Sequence, residues 1–280
     1  MLPILFDLPF IKIYTNGVFL LLAFFWGAFL LWKNFLLTSQ KEEQIFDGMF
    51  IAVASGLFVG RIVHVFLNFE DFGFSFLKFI LINGYPGISL YGFLIGAFLS
   101  LWIFFVNRKI NLLESFDYVI PASFLALGLG KLGSFISGSE IGSRTGFMAS
   151  LKYQGLEGAR HLTSFYEAII FLIATFLSYK LLYSIRRDKF SKGTNLFFFW
   201  WLFSLIYLIF DSIKTNKALL FNFSFNYIVS LVCLLTFSLI FVYHFRSLIF
   251  EKLSLLKKIP NKNGKKVFKF LHKKEKGSST

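Results

Sequence analysis

The sequence predicts an all-α polytopic membrane protein of about seven transmembrane helices, with the N-terminus outside and the C-terminus in the cytoplasm. Three observations predict it. Of 280 residues, 56% are hydrophobic and 42 are Phe, and the mean hydropathy is +0.67. A soluble domain of that length cannot hide so much apolar side chain, so lipid is the solvent for much of it. Apolar runs of roughly 20 residues, the length that crosses a hydrocarbon core, recur along the chain. Basic residues concentrate on alternate connections, which sets the direction of insertion.

The runs lie at 16–37, 45–67, 86–106, 115–136, 163–184, 194–214 and 225–246. The first is long and is not followed by a small-residue cleavage site, so it reads as a permanent helix and not a signal peptide. Connections 38–44, 107–114 and 185–193 carry Lys41, Arg108, Lys109, Arg186, Arg187, Lys189 and Lys192, on the same side as the basic tail. The opposite connections spread Lys78, Arg144, Lys152, Arg160 and Lys217 over many more residues. The positive-inside rule then places the tail in the cytoplasm. The chain divides into a transmembrane domain, 1–246, with outer loops at 68–84 and 138–161, and a cytoplasmic tail, 247–280. Residues 68–84 hold Glu70, Asp71 and an apolar SFLKFILI run too short to span, which reads as an interfacial or re-entrant piece.

The formal net charge is +14, yet Arg246 to Lys276 holds eleven Lys and Arg against two Glu. A basic segment beside a final span marks attraction to anionic lipid rather than a nucleic-acid site. Its Lys-rich end, 258–280, reads as mobile. The single Cys233 excludes an internal disulfide and packs as a small hydrophobe. No internal repeat is visible, which speaks against a transporter.

Residues 130–145, GKLGSFISGSEIGSRT, break the apolar pattern. Polar groups inside a bilayer cost a few kcal/mol each, so their retention points to use. With the helix directions fixed, the unusual polar residues of six helices fall at similar depth toward the outer side. They are Tyr14 and Asn16; Arg61 and His64; Tyr91; Lys131, Ser134 and Ser137; Tyr166 and Glu167; Asp211 and Lys214. Asp47 and Asp117 fall at the cytoplasmic ends and read as solvated or capping. Snorkelling explains any one residue near a span end, Lys214 above all. A shared water-filled cavity open to the outer leaflet explains the group, because Arg61, His64, Lys131 and the two serines lie well inside their spans.

The predicted cavity sets the cations Arg61, Lys131 and Lys214 against Glu167 and Asp211, a surplus that suits a phosphate head group. Gly130, Gly133, Gly138 and Gly142 would let backbone and ligand approach closely. Gly56 with Gly60, and Gly92 with Gly96, read as helix-packing pairs. His64 reads as a hydrogen-bonded structural residue. No metal-ligand spacing, phosphate-binding loop or nucleophile elbow is present, so no cofactor is expected.

The same segments resemble the prolipoprotein diacylglyceryl transferase family. GKLGSFISGSEIGSRT is similar to that family's signature, which reads close to GRIGNFINGELYGRPT. IYTNGVFL (13–20) resembles its IHTYGVLI start of the first helix, and GLFVGRIVHVF (56–66) its G-x-x-x-x-R segment. PGISLYGFLIGAF (86–98) resembles GGLSFHGGLIGG, HLTSFYEAI (161–169) resembles HPSQLYEAL, and DSIK (211–214) resembles EFFR at the end of the sixth helix. The matches run in order over most of residues 10–240.

The resemblance implies transfer of a diacylglyceryl group from phosphatidylglycerol to the lipobox cysteine of preprolipoproteins, in a multi-pass protein of the bacterial plasma (inner) membrane. It implies catalytic roles for Lys131, Tyr91 and Glu167. It implies substrate binding by Arg61, Ser134, Ser137, Gly138, Glu140, Gly142, Tyr14, Asn16, Tyr166, Asp211 and Lys214. The nucleophile belongs to the substrate, leaving Cys233 idle. The chain departs from the family pattern at several places. The motif His is Tyr91, the signature Arg is Lys131, its two Asn are Ser134 and Ser137, and its Glu stands one place late as Glu140. The first-helix His and Tyr are Tyr14 and Asn16. Tyr207 stands where the sixth helix is expected to carry Arg. The alternative reading is a non-catalytic relative that binds phospholipid or lipobox peptide in the same cavity.

Overall fold

In the computed structural model, residues 2–7, 12–82, 84–153, 156–215, 217–220 and 223–258 are described, with side chains in the last stretch given for 223–243 and 246. Among the described residues seven helices are long and apolar enough to cross a membrane: α1 (Thr15–Phe35), α2 (Glu42–Leu67), α5 (Leu90–Asn107), α6 (Leu112–Ser137), α7 (Thr163–Arg186), α8 (Thr194–Asp211) and α9 (Phe225–Lys258). Two short helices, α3 (Phe69–Phe72) and α4 (Phe76–Ile80), fill the connection between α2 and α5. The chain divides into two compact units, Met1–Leu235 and Thr236–Thr280. Of the second unit, the described part is the continuation of α9 to Lys258, beyond the predicted span end at 246. The remainder of the predicted basic tail, 259–280, lies outside the described residues.

The third span begins at Leu90 instead of 86 because Pro86 and Gly87 precede the helix and Ser89 caps it, its hydroxyl accepting the Gly92 N–H. The sixth ends at Asp211 instead of 214 because the chain there turns into a β-bridge, Lys214 opposite Gly142. Three small antiparallel hairpins that hydropathy did not foreshadow sit at helix entrances: β1 (Ile4–Asp7) with β2 (Lys12–Tyr14), β3 (Ser150–Lys152) with β4 (Ala159–His161), and β5 (Leu219–Leu220) with β6 (Phe223–Ser224). They share one end of the bundle with the close of α6 and α8, as Leu2 N–H donates to the Ile136 carbonyl at 2.9 Å and Ser143 N–H to the Ile213 carbonyl at 2.7 Å.

Helix α6 is the central element and packs on α1, α7 and α8, while α2 packs on α5. The latter pair interlocks through its glycines: a Cβ on Gly92 would lie 2.9 Å from the Gly60 Cα, and one on Gly96 would lie 2.8 Å from the Ser55 carbonyl. These two glycine pairs are therefore packing devices. At the far end Asp117 is buried and caps α8, accepting from Gly193 N at 2.6 Å and Asn195 N at 2.9 Å. The capping expectation for Asp117 holds and the solvated one does not; Asp47 is exposed. Rings of Phe124, Phe171, Phe199 and Phe203 fill the space between α6, α7 and α8. Large apolar side chains such as Phe25, Trp26, Ile103 and Phe176 point outward, a surface suited to lipid and not to water.

Candidate functional site

The site is built where α6, α7 and α8 meet at the hairpin-bearing end. Lys131 lies two turns before the end of α6, and the helix stops at Gly138, whose left-handed φ of 73° reverses the chain. That reversal carries Glu140 back over Lys131. Glu167 lies in the first turns of α7, and Lys214 follows the last turn of α8. The bridge between Gly142 and Lys214 joins these two loops, with Thr215 Oγ1 also donating to the Ile141 carbonyl at 2.7 Å. A Cβ on Gly142 would run into the His161 carbonyl, so only glycine lets the three strands of chain come this close.

The result is an ion cage of two lysines and two glutamates. Lys131 Nζ lies 2.7 Å from Glu140 Oε1 and 2.7 Å from Glu167 Oε2. Lys214 Nζ lies 2.5 Å from Glu167 Oε1 and 3.5 Å from Glu140 Oε2. Both ammonium groups also sit over the face of Tyr207, at 5.3 and 4.6 Å from its ring centre, where the π-face attracts a cation. Ser164, one turn before Glu167, donates to Glu140 Oε2 at 3.2 Å. Glu167 is wholly buried and the lysine side chains are 7% and 10% exposed, whereas Glu140 is 34% exposed and forms the cage's open side. Burial pushes the Glu140 carboxyl up, but Lys131 and Lys214 outweigh it and hold it down at about 2.

This corrects the expectation of surplus positive charge at the site. Opposite charges in equal number compensate one another where burial would penalise any one of them alone. Arg61 is not among them. Its guanidinium donates to the carbonyls of Phe79 at 2.9 Å, Lys78 at 2.8 Å and Gly87 at 2.8 Å, and lies over the Phe72 ring. It clamps the α4 segment onto α2. His64 pairs with Asn68 at 3.4 Å and meets Phe72 edge-on, a structural role as expected.

Tyr91 does not face the cage opening either. It is fully buried, with its hydroxyl 2.5 Å from Ser230 Oγ and its ring edge against Tyr207, 5.6 Å between centres. Asp211 is buried and accepts from Ser224 Oγ at 2.9 Å, so it fastens the β5–β6 hairpin and leaves the cage without a third carboxylate. Tyr166 donates to the Ala149 carbonyl and tethers the 138–161 loop. Tyr14 is exposed at the head of α1. Asn16 lies beside Gly133, its buried Oδ1 3.2 Å from where a Cβ there would stand and without a hydrogen-bond partner. Ser137 Oγ donates to the Ser134 carbonyl at 3.2 Å, a cap contact at the end of α6.

Tyr207, Ser164 and Ser230 are the contributors that sequence reasoning left unassigned. The signal for one of them was spacing: Ser164 stands three residues before Glu167 in α7, which puts the pair on one helical face. Ser230 carries no such signal. Among the described residues no group of three His, Cys, Asp or Glu side chains gathers as a metal-ligand set.

Fold and site together define a polytopic membrane protein with a buried, charge-balanced lysine–glutamate cage near one face of its helix bundle. The chain belongs to the prolipoprotein diacylglyceryl transferase family, whose model matches residues 3–243. The phosphatidylglycerol–prolipoprotein diacylglyceryl transferase of Clostridium tetani is 27% identical over 203 residues, covering 70% of this chain and 80% of its own length. That of Clostridioides difficile is 25% identical over 226 residues, covering 79% of this chain and 87% of its own. That of Legionella pneumophila strain Philadelphia 1 is 30% identical over 182 residues, covering 62% and 70%.

Proposed function

We propose that this protein is a diacylglyceryl transferase of lipoprotein maturation, taking its lipid from phosphatidylglycerol and delivering it to the lipobox cysteine thiol of a preprolipoprotein. The carrying observation is the convergence of two buried ammonium groups, Lys131 and Lys214, on one spot. In the reaction the substrate's thiol gives up its proton to water, and its sulfur attacks the glycerol carbon that bears the phosphate. A C–S thioether bond forms, the C–O bond to phosphate breaks, and its electron pair goes to the departing glycerol phosphate. The leaving phosphate gains a negative charge as the bond breaks. Cations fixed in advance, in a site of low dielectric, stabilise that charge without reorganising. Lys131 and Lys214 supply them, and the Tyr207 face and Glu167 hold both in place.

Glu167 and Tyr91 take supporting roles in this reading. Glu167 is held between both lysines, and the Tyr91 hydroxyl is engaged by Ser230, so each orients the cage instead of meeting the thiol. The hairpin-bearing end faces outward and the basic tail inward, in a bacterial plasma membrane, an orientation supported by Arg108, Lys109, Arg186, Arg187, Lys189 and Lys192 on the opposite connections. Residues 1–246 then form the membrane domain and 247–280 its cytoplasmic tail.

The test is direct. Purified full-length protein in detergent receives phosphatidylglycerol and a lipobox peptide, and mass spectrometry follows the peptide cysteine. A gain equal to one diacylglyceryl group is expected. No gain while lipid remains bound would replace the transferase by the non-catalytic binder.

A further inference from the structure

Building on Lys131 and Lys214 as the phosphate-holding pair, we infer that Glu140 is the carboxylate that an incoming phosphodiester replaces. It is thereby the residue that sets the cage's selectivity for a singly charged lipid head group.

The two carboxylates of the cage are not equivalent. Glu167 stands on a transmembrane helix, wholly buried, and receives both lysines at 2.7 and 2.5 Å. Glu140 stands on the loop just past the Gly138 reversal and is one-third exposed. It meets Lys131 at 2.7 Å but Lys214 only at 3.5 Å. A ligand arriving from the open side meets Glu140 first, in the place where an oxyanion would bridge both ammonium groups. Its remaining side-chain tie is the Ser164 hydroxyl at 3.2 Å. The backbone beyond it is fixed, with Ser143 N–H donating to Ile213 at 2.7 Å and Thr215 N–H to Ile141 at 3.3 Å. Exchange therefore needs rotation of one side chain and no movement of the loop.

Charge balance makes the exchange selective. Two ammonium groups face two carboxylates. Removing one anion from a buried set without replacement leaves an uncompensated charge, which is strongly unfavourable. Glu140 thus leaves only as another anion arrives. A singly charged phosphodiester restores the balance. A zwitterionic head group brings an ammonium of its own to two that are already there. A doubly charged phosphomonoester leaves the cage with one negative charge in excess, so the glycerol phosphate formed in the reaction is released and not retained. The lysines hold the Glu140 carboxyl down at about 2 against the effect of burial, so it is a full competitor at neutral pH.

The experiment uses the full-length protein in detergent, titrated with short-chain phosphatidylglycerol. Phosphatidylcholine of the same chain length and free glycerol phosphate serve as comparison arms, and binding is read by calorimetry. The wild type is compared with Glu140→Gln, Ser164→Ala and Lys131→Ala. Glu140→Gln binds phosphatidylglycerol about tenfold tighter, the effect of removing one competing anion worth ~1.4 kcal/mol. It also narrows the preference over phosphatidylcholine, because the cage then accepts any phosphate. Ser164→Ala, which only loosens Glu140, shifts affinity the same way by a smaller factor and decides the matter if Glu140→Gln does not fold. Unchanged or weaker phosphatidylglycerol binding in these two variants, with Lys131→Ala also weak, overturns the exchange and leaves the phosphate reading standing. Binding unaffected by Lys131→Ala overturns the phosphate reading itself. Glycerol phosphate bound as tightly as the lipid overturns the assignment to a phosphodiester.

Discussion

Truncating Lys131 to Ala tests the cage at its centre. The change removes the 2.7 Å contacts to both Glu140 and Glu167 and leaves one cation, Lys214, for two carboxylates. Glu167 is wholly buried, so part of the loss is structural: breaking a buried ion pair by removing one partner costs about 3–5 kcal/mol of stability. Loss of one preorganised charge contact to the transition state lowers turnover by ~10²–10³. The two losses separate in a double variant, Lys131→Met with Glu167→Gln, which leaves Lys214 balanced against Glu140. Stability then recovers while turnover stays low. Turnover is read as mass gain on a lipobox peptide and stability as thermal unfolding in detergent. Single-variant turnover within about threefold of wild type refutes a role in transition-state stabilisation. So does a double variant that regains turnover together with stability.

Other perturbations separate the surrounding parts. Arg61→Met removes three charge-assisted hydrogen bonds to the carbonyls of Lys78, Phe79 and Gly87. Each is typically worth about 1.5–3 kcal/mol, so hydrogen exchange across 78–87 rises sharply while the affinity for phosphatidylglycerol holds. Tyr207→Phe keeps a ring face under both lysines and retains most activity. Tyr207→Leu loses the face and weakens kcat more than KM, a split that steady-state kinetics reads. Glu140, lowered from 4.5 to about 2 in the fold, contributes stability above its ordinary value that is lost as pH falls from about 4.5 toward 2. Thermal unfolding across that window slopes downward in the wild type and less steeply in Glu140→Gln.

The membrane architecture was legible because lipid imposes a simple rule. Each span must satisfy its own backbone, so apolar length alone marks it. The hairpins were not legible, since strands of two to four residues at helix entrances carry no periodicity. All four cage residues were among the candidates, three because a charged side chain within a span is conspicuous and Glu140 because it stands in the signature segment. Their pairing was not, because it depends on the Gly138 reversal that returns Glu140 over Lys131. Arg61 was placed with the other cations for a physical reason. Its partners are backbone carbonyls, and no residue-type pattern announces which carbonyl a folded loop will present. Tyr207 was noted only as a replaced arginine, because nothing about a tyrosine in sequence tells that its ring face will lie under two lysines.

The departures from the family pattern at 131, 207 and 214 belong together. The resemblance expects arginine at each of these places, and a guanidinium would bring a planar fork that grips an oxyanion by itself. The ammonium of Lys131 is a compact point charge without that geometry, and in this chain its surroundings supply the direction: carboxylates to the side and the Tyr207 face beneath. Lys214, just past the end of α8, keeps a cation at the place of the EFFR arginine, and position 207 holds the ring over which both lysines rest. A chain that kept Arg at 207 beside Lys131 and Lys214 would set three cations against Glu140 and Glu167, an imbalance that burial penalises. Tyrosine at 207 keeps the cage at two cations against two carboxylates and gives both lysines a ring face to rest on.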